Sequence, residues 1–260
     1  MNIRSINSLK DKLLPFILPI VLIALWQILT STGLVSGKIL PRPSQVVKVT
    51  ITLISSGDLV KYIATSARRA ILGFLIGGGI GFVLGLINGL SHNAELLLDS
   101  TIQMVRNVPL FAILSLVILW FGIGEEPKII LISLGVFFPI YLNTYHGIRS
   151  IDKGILEMAK VYELKRSSLF FNVILPGALP SILVGIRYSL GIMWLTLIVA
   201  ETIAADSGIG YMINNARDFM QMDVIVLGVI IYALLGKLSD TVARILEKSL
   251  LKWNPNYIKE

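Results

Sequence analysis

Few side chains in this 260-residue sequence have the types and spacing needed to make or break bonds. Cysteine is absent, which excludes disulfides, thiolate nucleophiles, cysteine zinc sites and iron–sulfur clusters. His92 and His146 are too few and too far apart to suggest a metal centre. Three ionisable residues, Arg187, Glu201 and Lys237, stand inside long apolar runs. A membrane-embedded enzyme would cluster acids, bases or metal ligands within its spans, and these three do not cluster. Arg187 and Glu201 are 14 positions apart, about 21 Å along a helix, so they cannot pair with one another and each needs another partner or water. A phosphate-binding Gly-x-x-x-x-Gly-Lys-Ser/Thr loop is also missing: Gly236-Lys237 is followed by Leu238, and Ile231 occupies the place of the first glycine. Lys237 reads instead as a snorkelling residue near an interface.

The elements that must position these residues are membrane helices. The sequence is 55% hydrophobic and only 15% charged, with a mean hydropathy of +0.79, so water alone cannot be the solvent for its surface. The net charge of +7 does not point to nucleic acid, because the basic residues mostly flank apolar runs, where they orient a membrane protein. Six stretches are candidates to cross about 30 Å of hydrocarbon: 14–33, 70–90, 108–124, 129–146, 182–205 and 224–239. The first follows Arg4, Lys10 and Lys12, has no small-residue cleavage site after it, and reads as a retained anchor. Met104 to Val108 and Asp240 to Leu251 are expected to extend the third and sixth spans beyond the bilayer. With both termini cytoplasmic, thirteen basic residues lie inside and eight outside, a count that Arg68 and Arg69 weaken by preceding the second span on the outer side.

Several residues shape these elements. Pro41, Pro43 and Ser44, the last as N-cap, are expected to open a surface helix within 34–69. Gly73, Gly77, Gly81, Gly85 and Gly89 fall on one helix face and suit close helix packing more than a pore lining. Pro109 and Pro139 are expected to bend or break the third and fourth spans. No internal repeat is visible, which argues against a secondary transporter. Between spans four and five, residues 147–181 carry two helical patterns, one with Ile155, Met158, Ala159 and Tyr162 on a face. The second holds Leu169, Phe170, Val173 and Ile174 and is expected to close at Pro176 and Pro180. Such a pair suits either anionic headgroups, through Lys160, Lys165 and Arg166, or docking of another protein.

Glu157, Ala159, the position of Glu163 and Val173-Ile-Leu-Pro176 have the spacing of a loop shared by permease subunits of ATP-binding-cassette (ABC) importers: Glu-Ala-Ala, three residues, Gly, nine residues, Ile-x-Leu-Pro. With Met104-Val-Arg-Asn-Val-Pro109, Leu119-Trp-Phe-Gly-Ile-Gly124, Phe138-Pro-Ile-Tyr141, Ile174-Leu-Pro-Gly-Ala-Leu-Pro-Ser181, Met193-Trp-Leu-Thr-Leu-Ile-Val-Ala-Glu-Thr202, Ser207-Gly-Ile-Gly-Tyr211 and Trp253-Asn-Pro255, the chain resembles the permeases of aliphatic sulfonate importers over nearly its whole length. Related permeases carry nitrate, taurine and pyrimidine precursors. Met158 replaces the signature's first Ala and Glu163 its Gly. A non-Gly residue at a positive-φ turn costs about 1 kcal/mol, so either the turn has shifted, or the loop is strained, or the carboxylate faces solvent.

The resemblance implies an all-α integral membrane protein of six transmembrane helices with the type I ABC importer permease fold. Its parts would be an N-terminal anchor and connecting segment at 1–69, a permease core at 70–251 and a cytoplasmic tail at 252–260. The 155–167 helix would seat in a separate ATPase, Glu157 making a polar contact and Ala159 a small close-fitting face. That coupling loop would comprise Glu157, Met158, Ala159, Tyr162, Glu163, Leu164, Leu175 and Pro176, the last two fixing the angle of re-entry. Met193, Trp194 and Thr196 occupy the middle of the fifth span, as a constriction of the path or as packing. With the fifth span running outward, Arg187 stands near its cytoplasmic end and Glu201 near its outer end, and both belong either to the path or to interfacial anchors. The implied assembly sits in the bacterial cytoplasmic membrane and contains a second copy of the permease, two ABC ATPases and an extracytoplasmic binding protein. ATP and Mg would sit on the ATPase, with no cofactor on this chain.

Overall fold

The computed structural model describes residues 3–37 and 39–254, and every regular element among them is helical. The tail beyond Asn254, with Pro255, lies outside the described residues, as do the side chains of Arg4, Lys10 and Lys12. The long helices are α1 (Ile3–Ser31), α3 (Asp58–Leu90), α6 (Glu125–Arg149), α9 (Leu175–Ala204) and α11 (Met222–Leu250). Between them run α2 (Pro43–Ser55), α4 (His92–Arg106), α5 (Leu110–Phe121), α7 (Lys153–Val161), α8 (Arg166–Leu169) and α10 (Ile209–Asp218). Among the described residues, four helices are long and apolar enough to cross a membrane: Asp58–Leu90, Glu125–Arg149, Arg166–Ile203 and Met222–Leu250. The apolar helices Ile17–Ser31 and Ala112–Phe121 are shorter. The chain divides into two compact units, one of Met1–Tyr62 with Met212–Ile230 and one of Ile63–Tyr211 with Ile231–Glu260.

In the N-terminal unit, Trp26 Nε1 donates to Pro41 O at 3.0 Å. Arg42, not Ser44, caps α2, with Pro43 in the first turn, where its missing N–H has no intrahelical partner to lose. The Gln45 carboxamide accepts from Arg42 N at 2.9 Å and closes the cap.

In the larger unit α6 is central. A Cβ added at Gly73 or Gly89 would strike Ile132 or Ile148, and one at Gly77 or Gly81 would strike the α6 backbone at Ser133 or Phe137. The glycine stripe therefore serves helix packing, bringing α3 and α6 together backbone to backbone. On the other side of α6, Gly135 packs against Thr196 and Gly147 against Ser181. The core of Ala70, Ile132, Val136, Ile140, Met193 and Leu197 joins α3, α6 and α9.

The prolines act differently at each site. Pro109 caps α5, and the chain breaks from α4 at Asn107, so Met104 to Val108 do not extend the third span. The physical reason is that a residue before proline is pushed out of the helical region. Pro139 stays inside an unbroken α6. Pro176 and Pro180 do not close a helix: α8 passes through a π-helical turn, Phe170–Ile174, directly into α9. The wider turn accommodates the donor missing at Pro176, as π-bulges do inside longer helices. Asp240 to Leu250 continue the last helix, as expected.

Candidate functional site

The loop after α6 builds a short helix with defined ends. Asp152 caps α7, its Oδ1 accepting from Gly154 N at 2.7 Å and Ile155 N at 3.2 Å. At the other end Leu164 N donates to Ala159 O at 3.1 Å and Glu163 N to Lys160 O at 2.9 Å. This 6→1 and 5→2 pair is a Schellman stop, which requires a left-handed residue between, and Glu163 supplies it at φ 50°. The turn has not shifted, and the exposed Glu163 carboxylate faces solvent. Met220, at φ 55°, fills the same position where Gln221 N meets Ala216 O at 2.8 Å.

On α7 the only buried residue is Ala159, at 5% exposure. Ile155, Met158, Val161 and Tyr162 are exposed, as is Glu157. Leu175 and Ile174 pack on Ile148, Ala178 and Ile182, fixing the start of α9 against the end of α6, and Pro176 follows within the first turn of α9.

On α9, Met193, Trp194, Thr196 and Glu201 are buried. Met193 and Trp194 belong to the core, and Trp194 Nε1 donates to Ser239 Oγ at 2.8 Å. Thr196 fills the space left by Gly135.

Glu201 is the hub of a polar network near the C-terminal end of α9. It pairs with Arg69 Nη1 at 2.8 Å, accepts from Ser66 Oγ at 2.8 Å and from Gly210 N at 2.9 Å, and is reached by Tyr232 OH at 3.3 Å. Arg69 also forks onto Glu125, through Nε at 2.7 Å and Nη2 at 2.5 Å, and donates to Ser207 O at 2.6 Å. Lys128 Nζ completes the cluster at 3.1 Å from Glu125. Arg69 and Glu201 are each 1% exposed, a burial that charges tolerate only when paired and fully hydrogen-bonded. Gly208 passes over the pair at φ 107°, where a Cβ would collide with both the carboxylate and the guanidinium. Two cations face two anions with every fork engaged, which locks the 205–210 segment onto α3, α6 and α9 and leaves no nucleophile–base pair.

Sequence reasoning missed Arg69 and Ser66 as partners of Glu201. The available signal was Arg68-Arg69 on the wrong side for a basic residue count. Arg187, as expected, finds partners other than Glu201: Asp240 at 2.7 Å and Glu247 at 3.5 Å. Lys237 is 71% exposed, in keeping with snorkelling. Among the described residues no group of three or more His, Cys, Asp or Glu could hold a metal.

Residues 77–252 match the family of binding-protein-dependent transport system inner membrane components. The chain belongs to this family. Among its relatives, the putative aliphatic sulfonates transport permease protein SsuC of Escherichia coli (strain K12) is 57% identical over 94% of this chain and 92% of its own length. The protein of the same description from Bacillus subtilis (strain 168) is 49% identical over 93% of this chain and 87% of its own. The taurine transport system permease protein TauC of E. coli is 35% identical over 90% and 87%. The fold is that of importer permeases: a chain of the bacterial alginate ABC transporter in complex with a pentasaccharide-bound periplasmic protein superposes with a TM-score of 0.62. That likeness spans 97% of this chain and 99% of the other at 15% identity. This family member is therefore an all-helical, multi-pass inner membrane component of an ABC transporter.

Proposed function

We propose that this permease carries aliphatic sulfonates into the cell as half of the membrane path of an ABC importer, with ATP hydrolysed by a separate subunit. The observation that carries the reading is the near-full-length identity to two sulfonate permeases, well above that to the taurine permease. Six spans, the core at 70–251 and cytoplasmic termini complete the topology. One copy supplies one coupling loop, so the working unit is a homodimer with two ATPases and an extracytoplasmic binding protein.

The coupling element is α7. Its exposed Ile155, Met158, Val161 and Tyr162 offer an apolar face to the ATPase and Glu157 a polar contact, while Ala159 and Leu164 hold the helix end in shape. Tyr162 and Glu163 set the turn, and Leu175 and Pro176 pass any displacement of the loop into α9. A shift of α7 reaches α9 across the short turn at 162–165, beyond which α8, the π-helical turn and α9 run on as one helix against α6. Met193, Trp194 and Thr196 transmit that motion as packed core, and Glu201 anchors the outer end of α9.

The test is uptake by proteoliposomes containing the permease, its ATPase and its binding protein. ATP-dependent entry of ethanesulfonate, unaffected by excess nitrate, is expected. Entry of taurine or nitrate in place of ethanesulfonate would shift the substrate to the alternative, and uptake driven by an ion gradient without ATP would make this a secondary transporter.

A further inference from the structure

The turn between α10 and α11 repeats the build of the turn after α7. Ala159-Lys-Val-Tyr-Glu-Leu164 and Ala216-Arg-Asp-Phe-Met-Gln221 place a small residue, a cation and an aromatic at the same spacing. Both stop their helix with the same 6→1 and 5→2 pair: here Gln221 N donates to Ala216 O at 2.8 Å and Met220 N to Arg217 O at 3.1 Å. In both the alanine is buried and the aromatic is exposed, Tyr162 in one and Phe219 in the other. Met220 takes the left-handed place at φ 55°, a strain that glycine would avoid, and its side chain stands 86% exposed. The stop thus fixes the backbone of a tip that presents two large apolar side chains to its surroundings.

Beside the tip lies an open pocket of about 550 Å³, lined by Pro41, Gln45, Met220, Gln221, Met222 and Asp223. Its walls are methionine and proline, its polar groups two carboxamides and one carboxylate, and no cation lines it. Asp223 Oδ1 accepts from Val224 N at 3.0 Å, and among the described residues no ion pair engages its carboxylate. Arg217, in contrast, already has Asp218 at 3.9 Å. The uncompensated charge of the tip is therefore negative.

That charge selects the occupant. A carboxylate without a cation repels a sulfonate, so the pocket does not suit the transported anion, and it repels anionic headgroups equally. A long basic side chain fits both parts of the pocket, its methylene stem along Met220, Met222 and Pro41 and its charged head on Asp223. We propose that the α10–α11 tip is a docking site for the extracytoplasmic binding protein, which inserts a lysine or arginine into this pocket and covers Phe219 and Met220 with its own surface. This rests on the importer reading and the orientation above, in which residues 206–223 face outward.

The complete transporter is reconstituted in phosphatidylcholine liposomes, and the concentration of binding protein that half-saturates ATP hydrolysis is measured. Asp223→Asn keeps the bond to Val224 N and is expected to raise that concentration about tenfold, and to flatten its dependence on NaCl. Asp223→Lys is expected to raise it further, and replacing one surface lysine or arginine of the binding protein by glutamate is expected to bring it back towards the wild-type value. An unchanged half-saturating concentration in both variants overturns the inference, as does a rise that no such replacement reverses. Met220→Cys carrying an environment-sensitive fluorophore is expected to shift to the blue when binding protein is added. Emission already blue in liposomes without it makes the tip a lipid contact, and failure of Met220→Cys to react with an impermeant thiol reagent in intact cells places it inside; either overturns the inference. Wild-type transporter whose ATP hydrolysis no binding protein stimulates overturns the importer reading, and the inference with it. Wild-type stimulation with indifferent Asp223 variants overturns the inference alone.

Discussion

Single residues carry the sharpest energetic consequences in this chain. Glu163 holds a left-handed conformation that glycine adopts freely, so Glu163→Gly relieves backbone strain worth up to about 1 kcal/mol, offset in part by the greater chain entropy of glycine. Hydrogen exchange at the Leu164 amide, bonded to Ala159 O, is expected to slow in the Gly variant and to stay unchanged in Glu163→Gln. Equal changes in both would mean that the charge, not the backbone, sets the stability of the turn. Arg69 offers the opposite case: Arg69→Met leaves Glu201 buried without its cation and should cost about 3–5 kcal/mol, seen as a large drop in unfolding temperature in detergent. Arg69→Met/Glu201→Met should recover much of it, because Glu125 keeps Lys128. Glu163 was legible in the sequence because a motif placed a glycine there. The Arg69–Glu201 pair, separated by 132 positions, was not, because its two halves meet only once α3 and α9 have packed on α6.

At the scale of elements, α7 is an exposed apolar face closed at both ends by its own hydrogen bonds. Met158→Arg or Val161→Arg should therefore leave the helix intact, since both side chains are exposed, yet release the ATPase from the purified complex. Ala159→Arg should instead damage the loop itself, because its added bulk would enter covered space, and membrane-inserted protein should fall with it. Co-purification of the ATPase in normal amount with Met158→Arg and Val161→Arg would remove α7 from the coupling role. Helical periodicity placed Ile155, Met158, Ala159 and Tyr162 together, but it could not say which edge of that face turns inward. The angle at which α7 lies is fixed by Asp152 and the Schellman turn, both contacts of the folded loop. The same limit explains Pro176: its effect depends on the turn before it, and a π-helical turn lets α8 and α9 join where proline alone would signal a stop.

At the scale of the whole molecule, orientation in the membrane follows from which basic residues are free to respond to it. Arg69 and Lys128 count toward the outer side by sequence, yet both are buried and paired with carboxylates, so they carry no weight in a rule about exposed flanking charge. Removing them lowers the outer count from eight to six against thirteen inside, and the apparent conflict at Arg68-Arg69 loses half its force. That count favours the proposed orientation, in which the long loop with Lys153, Lys160, Lys165 and Arg166 faces the cytoplasm and an ATPase can reach α7. The absence of native cysteine makes this directly measurable. Ser167→Cys, exposed beside α7, should resist a membrane-impermeant thiol reagent in intact cells and react once the membrane is opened. Asp206→Cys is the better outer probe than Ser207→Cys, because Asp206 is exposed whereas the Ser207 hydroxyl accepts from Arg69 at 3.0 Å. It should react in intact cells. Labelling of Ser167→Cys but not Asp206→Cys in intact cells would invert the topology, move α7 away from any cytoplasmic ATPase, and overturn the assignment of α7 as the coupling element.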